Sequence, residues 1–206
     1  MTILSQITVH KIVAILRGIQ ADDVLKIAGA LCNGGVKIIE VTLNSPNALL
    51  AIEQLNSTYG NKLLIGSGTV LNISDAKAAI AAGAKFLISP NVDIAVIRAA
   101  KDAGILSIPG AFTPTEIITA HNNGADIVKV FPAPDAAYIK NILAPLNHIK
   151  LMPTGGINLT NIKAFKDAGA SAFGIGSSLV NNQSIIDEAY LQKLTIKASD
   201  FMTAIQ

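Results

Sequence analysis

Five times along the chain a helix-like stretch closes on glycine and gives way at once to a short apolar run: "CNGGVKIIEV", "AAGAKFLIS", "DAGILSIP", "NNGADIVKV" and "DAGASAFGIG". Glycine suits the position just past a helix, where the backbone turns left-handed. The runs that follow are continuously apolar rather than alternating, which is the pattern of parallel strands covered on both faces. "KIVAILRG" opens the series; "KLLIGSG" and "IKLMPTGG" fit the same spacing, giving eight strand candidates in all. Helical stretches separate them, at residues 22–33, 48–57, 74–82, 94–103, 115–122 and 161–168, with a last helix over 184–204. Ser45-Pro46, Ser74-Asp75 and Thr113-Pro114 read as helix openings, each offering a cap or a first-turn proline.

Eight β–α units without a linker or a shift in composition predict a (β/α)8 barrel, with residues 1–206 as one domain. A doubly wound open sheet is the runner-up. It would want a glycine-rich nucleotide loop after the first strand, and "LRGIQADD" is not one.

Composition narrows the function classes. Half of the 206 residues are hydrophobic, only 15% are charged and the formal net charge is +2. The basic residues are scattered, which argues against nucleic-acid binding. No apolar stretch approaches the roughly 18 residues needed to cross a bilayer. "MTILSQITVHKIVAILRG" lacks the long apolar core of an export signal, so a cytoplasmic location is expected. The one cysteine, Cys32, has no partner for an internal disulfide. His10, His121 and His148 are dispersed without metal-ligand spacing, and no metal is expected.

Barrel chemistry gathers at the C-terminal ends of the strands. Those ends carry Arg17, Glu40 with Thr42 and Asn44, Thr69 in "GSGT", Pro90 in "ISPN", and Pro109-Gly110. The remaining three bring Lys129 in "VKVFPA", Thr154-Gly155-Gly156, and Gly176-Ser177-Ser178. Lys129 sits in an apolar strand where an ammonium is costly to desolvate, so its pKa should fall. A neutral amine can attack a ketone and form a Schiff base. Glu40, on the opposite wall, is the candidate general acid/base, unless the two form a purely structural salt bridge. The glycine-rich ends after the seventh and eighth strands suit a phosphate, with Ser178 able to add a hydroxyl. Arg17 suits an anion or a carboxylate partner.

In this order, "KIVAILRG", "GGVKIIEVTLNSP", "IGSGTVLN", "FLISPN", "VKVFPA", "PTGGI" and "GIGSSLV" resemble the class I 2-keto-3-deoxy-6-phosphogluconate (KDPG) / 4-hydroxy-2-oxoglutarate (KHG) aldolase family, nearly end to end. The resemblance implies a homotrimeric barrel that cleaves its sugar-acid phosphate to pyruvate and glyceraldehyde 3-phosphate, without metal or organic cofactor. It implies Lys129 as the Schiff-base lysine and Glu40 as the acid/base, working through a water. Thr69, Pro90, Thr154 and Phe131 fall at the pyruvate pocket, with Phe131 as the aromatic wall. Gly155, Gly156, Gly176 and Ser178 fall at the phosphate cradle. One departure stands out. Many members carry arginine four residues after the glutamate, as the substrate-carboxylate ligand; here Asn44 stands there, and Arg17 is the replacement. "AILRG" combined with "LNSP" also resembles the branch acting on the 6-phosphogalactonate epimer. The rivals are an isomerase or epimerase barrel and a non-catalytic sugar-phosphate sensor, neither of which needs a lysine in the sixth strand.

Overall fold

A computed structural model describes all 206 residues. The strands are β1 (Ile12–Leu16), β2 (Ile38–Thr42), β3 (Leu64–Gly68), β4 (Phe86–Ile88), β5 (Leu106–Ile108), β6 (Gly110–Ala111), β7 (Val128–Val130), β8 (Leu151–Pro153) and β9 (Phe173–Ile175). Every pairing is parallel. One sheet runs β5-β4-β3-β2-β1-β9 and the other β6-β7-β8. A parallel bridge between Thr154 and Gly174 joins β8 to β9. β5 and β6 are two halves of one strand interrupted at Pro109, which has no N–H for the ladder. The ring therefore closes with eight strands, as the sequence predicts. The fifth strand continues past Pro109 instead of ending there.

The helices are α1 (Ile3–His10), α2 (Ala21–Asn33), α3 (Ala48–Tyr59), α4 (Ile73–Ala81), α5 (Ile94–Asp102), α6 (Pro114–Asn122), α7 (Ala136–Leu143), α8 (Ile162–Asp167) and α9 (Glu188–Ala204). Thr113 opens α6 as expected, in a capping box with Glu116. The other two openings differ. Asn72, not Ser74, caps α4, accepting from the Asp75 N–H. Asn47, not Ser45, sits at the α3 cap and makes no side-chain cap bond.

Two apolar layers follow from the period-two alternation of the strands. Outward residues pack under the helices in a core of 49 buried residues. Inward residues form a second cluster: Val13, Ile38, Leu64, Phe86, Ile88, Ile108, Ile127, Met152 and Ala172, closed from below by Ile7 of α1. Small residues make this filling possible. A Cβ on Gly66 would lie 2.2 Å from the Phe86 ring. Two residues further along each strand, the same inward parity places Glu40 on β2 and Lys129 on β7. That floor of packed side chains holds both above it.

Candidate active site

Glu40 is fully buried and Lys129 is 3% exposed. They do not form an ion pair: no contact within 4.0 Å joins them. Both carboxylate oxygens of Glu40 lack any hydrogen-bond partner. Burial pushes the Glu40 pKa up, against the opposing pull of Lys129 and Arg17. Burial pushes the Lys129 pKa down; Arg17 adds to that, while Glu40 opposes it. Desolvation is the largest influence on each, so both groups are biased toward their neutral forms. The salt-bridge alternative is therefore not what the barrel contains.

Gly68, on the neighbouring strand, makes room for the carboxyl: a Cβ there would sit 1.7 Å from Oε1 of Glu40. On the other wall the Lys129 Nζ lies 4.8 Å from the centroid of the Phe131 ring. Beside Phe131 opens a cavity of about 200 Å³. Eight of the residues singled out in the sequence line it: Arg17, Phe131, Thr154, Gly155, Gly156, Gly176, Ser177 and Ser178. Lys129 and Glu40 are not in its lining; they lie deeper in the barrel, linked to it through Phe131 and Arg17. Thr69 and Pro90 are also outside the lining, at the ends of β3 and β4. Thr69 nonetheless holds a φ of +57°, a left-handed conformation that a β-branched residue rarely adopts. Such strain tends to gather at functional sites.

The rim beside Arg17, after β8 and β9, is built from backbone. The N–H groups of Gly155, Gly156, Ser177 and Ser178 donate to no acceptor within the protein. Gly155 and Gly156 have φ of +92° and +74°, which turns successive amides to one side. Concavities of this kind bind anions. The Gly156 carbonyl is held away by two amides, from Asn158 Nδ2 at 3.1 Å and Asn161 Nδ2 at 2.9 Å. The hydroxyl of Ser178 donates to the Ile157 carbonyl and ties the two loops together. Asn158 and Asn161 escaped the sequence reading because asparagines in a "GGINLTN" loop look like ordinary turn residues. Asn182, which also lines the cavity, carried no local signal at all.

Asn44 is exposed and makes no side-chain hydrogen bond. Arg17 lies at the mouth, and its guanidinium has no partner in the protein. No group of three or more histidine, cysteine, aspartate or glutamate side chains comes together. No helix is long and apolar enough to cross a membrane.

A barrel that buries an amine and a carboxyl, each biased toward its neutral form, beneath an anion cradle has the makings of an imine-forming lyase. The chain belongs to the aldolase family described as KDPG and KHG aldolase, whose sequence model matches residues 3–196. It is a class I aldolase, a carbon–carbon lyase. It is 36% identical over 191 residues to 2-dehydro-3-deoxy-6-phosphogalactonate aldolase of Escherichia coli (strain K12), covering 91% of this chain and 93% of the relative. It is 34% identical over 169 residues to 2-dehydro-3-deoxy-phosphogluconate aldolase of Treponema pallidum (strain Nichols), covering 81% and 80%. Among solved structures it is similar to KDPG aldolase from Legionella pneumophila, captured with pyruvate as a covalent carbinolamine. The TM-score is 0.83 at 29% identity, over 96% of this chain and 97% of that one.

Proposed function

We propose that the enzyme cleaves a 2-keto-3-deoxy-6-phospho sugar acid to pyruvate and glyceraldehyde 3-phosphate through an imine on Lys129. The neutral amine attacks the C2 ketone; the Glu40 carboxyl gives its proton to the carbinolamine hydroxyl, which leaves as water, so that a protonated imine and the Glu40 carboxylate remain. The Glu40 carboxylate takes the proton from the C4 hydroxyl as the C3–C4 bond breaks, and the electron pair passes into the imine. The aldehyde leaves, the Glu40 carboxyl returns a proton to C3 of the enamine, and water releases pyruvate. A buried carboxyl with no protein partner, held opposite the amine by the gap at Gly68, is suited to moving that proton through a water.

Arg17 holds the substrate carboxylate in this reading. Thr69, Pro90, Thr154 and Phe131 surround the pyruvyl part, and the amides of Gly155, Gly156, Gly176 and Ser178 receive the phosphate. The observation that carries the proposal is the almost complete burial of Lys129 in β7, with its Nζ beside the Phe131 ring that lines the cavity. Incubation with pyruvate and borohydride should leave a reduced adduct on Lys129, read by peptide mass spectrometry. A label on Lys37 or Lys150 instead would overturn the assignment.

The gluconate epimer is the substrate we expect first, with 4-hydroxy-2-oxoglutarate as a smaller alternative. The galactonate epimer is a second reading, favoured by Asn44, by the "LNSP" stretch and by the similarity to a phosphogalactonate aldolase. One hydroxyl configuration can rest on one or two hydrogen bonds, so comparing turnover of the two epimers decides between them. Homotrimeric assembly and a cytoplasmic location belong to the same reading; mass in solution tests the first.

A further inference from the structure

The Arg17 side chain and the Arg17 backbone are held very differently. The guanidinium, exposed at the mouth, makes no hydrogen bond or ion pair with the protein. The peptide units around it are gripped on three sides. The Leu16 carbonyl accepts from Thr42 Oγ1 at a long 3.4 Å. The Gly18 N–H donates to Ser45 Oγ at 2.8 Å. The Arg17 carbonyl accepts from Asn182 Nδ2 at 3.1 Å. Thr42 Oγ1 and Ser45 Oγ are themselves 2.9 Å apart, so one consistent set of donors joins them all.

Two further facts mark this as a dedicated arrangement. Ser45 precedes α3, where a serine hydroxyl ordinarily serves as a cap. Here the helix goes uncapped and the hydroxyl, 8% exposed, turns instead to Gly18. Gly18 has a φ of +67°, and a Cβ there would stand 2.9 Å from Asn182 Nδ2, so glycine is what lets the amide approach. Asn182 belongs to the segment after β9 that also carries Gly176 and Ser178, so it ties that segment to the neighbouring Arg17 turn after β1.

We infer that Thr42, Ser45 and Asn182 are positioning residues that lock the Arg17–Gly18 turn, so that an otherwise untethered guanidinium meets the ligand carboxylate in one place. The inference rests on the reading of Arg17 as the carboxylate ligand. It also gives "LNSP" a purpose: with no arginine at position 44, the same stretch supports the arginine of the neighbouring strand. The conformational freedom Arg17 would otherwise lose on binding is reduced beforehand.

The test is borohydride trapping of the imine at varied ketone concentration, with pyruvate and with hydroxyacetone, which has no carboxylate. Ser45→Ala and Asn182→Ala should each raise half-saturating pyruvate about three- to tenfold, the worth of one ordinary hydrogen bond. The trapping rate at saturation, and half-saturation by hydroxyacetone, should stay as in the parent. Ser45→Thr, which keeps the hydroxyl, should restore pyruvate affinity. In an Arg17→Ala background neither alanine change should weaken pyruvate further. Asn182 is exposed, so its variant reports even if the buried Ser45 change impairs folding. Equal weakening with and without Arg17, or equal loss for both ketones, overturns the inference and leaves Arg17 as the carboxylate ligand. An Arg17→Ala enzyme that binds pyruvate as the parent does overturns both.

Discussion

Lys129 and Glu40 share the interior of the barrel and pull on each other's protons without touching. Each is shifted toward neutrality by burial, and each shift is held back by the other's charge. Had they met as an ion pair, the amine would be tied up as an ammonium. Their separation beyond 4.0 Å leaves a nucleophile and a proton carrier as distinct groups. The floor of apolar side chains from Val13 to Ala172 makes this costly arrangement possible, since it excludes the water that would recharge both.

Replacing Lys129 by methionine should have two effects. The cation lowers the Glu40 pKa, so its removal should raise that pKa further, read by NMR titration of labelled glutamate. Stability should also change with a definite sign. The folded-state pKa of Lys129 lies below its ordinary 10.5. Between the two values the unfolded chain holds a proton that the folded chain lacks, so wild-type stability rises with pH through that window. Lys129→Met should flatten that rise. A denaturant series at several pH values measures it; an unchanged slope would mean the amine titrates as in water.

Glu40→Gln should separate imine formation from turnover. If Glu40 carries the proton between C4, C3 and water, its amide analogue should lower turnover by about 10²–10⁴-fold while trapping with pyruvate largely survives. Equal loss of both would make Glu40 structural.

Gly68→Ala tests the same carboxyl without altering it. The new Cβ would claim the place of Oε1, so the carboxyl must move by more than an ångström. A misplacement of that order can cost about 10²-fold in rate. Trapping on Lys129 should persist, since the amine lies on the opposite wall. Parent-like turnover would show that the position of the carboxyl is not critical.

Much of this was legible in the sequence, for identifiable reasons. Strands buried on both faces leave unbroken apolar runs, and an ion among them, as at Lys129 or Glu40, is conspicuous. The strand-end rule then gathered Arg17, Thr154 and the two glycine loops at one mouth. What the sequence hid was long-range. Nothing local marks Asn182 as the partner of a carbonyl 165 residues away, or Gly68 as the space for Glu40. Ser45-Pro46 looked like a helix opening because the local pattern cannot show that Gly18 competes for the hydroxyl. The bond from the Ser178 hydroxyl to Ile157 was hidden for the same reason, its partner lying 21 residues back on another loop. α1 escaped because "ILSQITVH" mixes β-branched with polar residues and shows no strong stripe.

Gly66 and Phe86 form a matched pair in the floor, and Gly66→Ala should reveal it. The added Cβ would lie within 2.4 Å of three ring atoms of a side chain that has nowhere to go. Overpacking of that kind costs about 1–3 kcal/mol. Adding Phe86→Leu to Gly66→Ala should recover part of the loss, and a double-mutant cycle by urea denaturation would show the coupling. Simple additivity would mean the two positions relax independently.

Ile7 should matter more to stability than its place at the chain's start suggests. Terminal residues are commonly loose unless docked, but Ile7 is fully buried and belongs to the same inner cluster as Val13, Phe86 and Met152. α1 is fastened at its start, where Thr2 accepts from the Ser5 N–H, and at its end, where the Lys11 N–H returns to the Ile7 carbonyl. Ile3 and Leu4 pack on the cluster beside it. The helix thus stoppers the N-terminal mouth of the barrel, the end away from the chemistry. Ile7→Ala would open a cavity against a rigid ring of strands that cannot collapse into it, at a cost of about 2–5 kcal/mol. Half-saturating pyruvate should not change, because none of the floor residues lines the cavity. A urea midpoint within error of the parent would mean α1 only covers the barrel rather than sealing it.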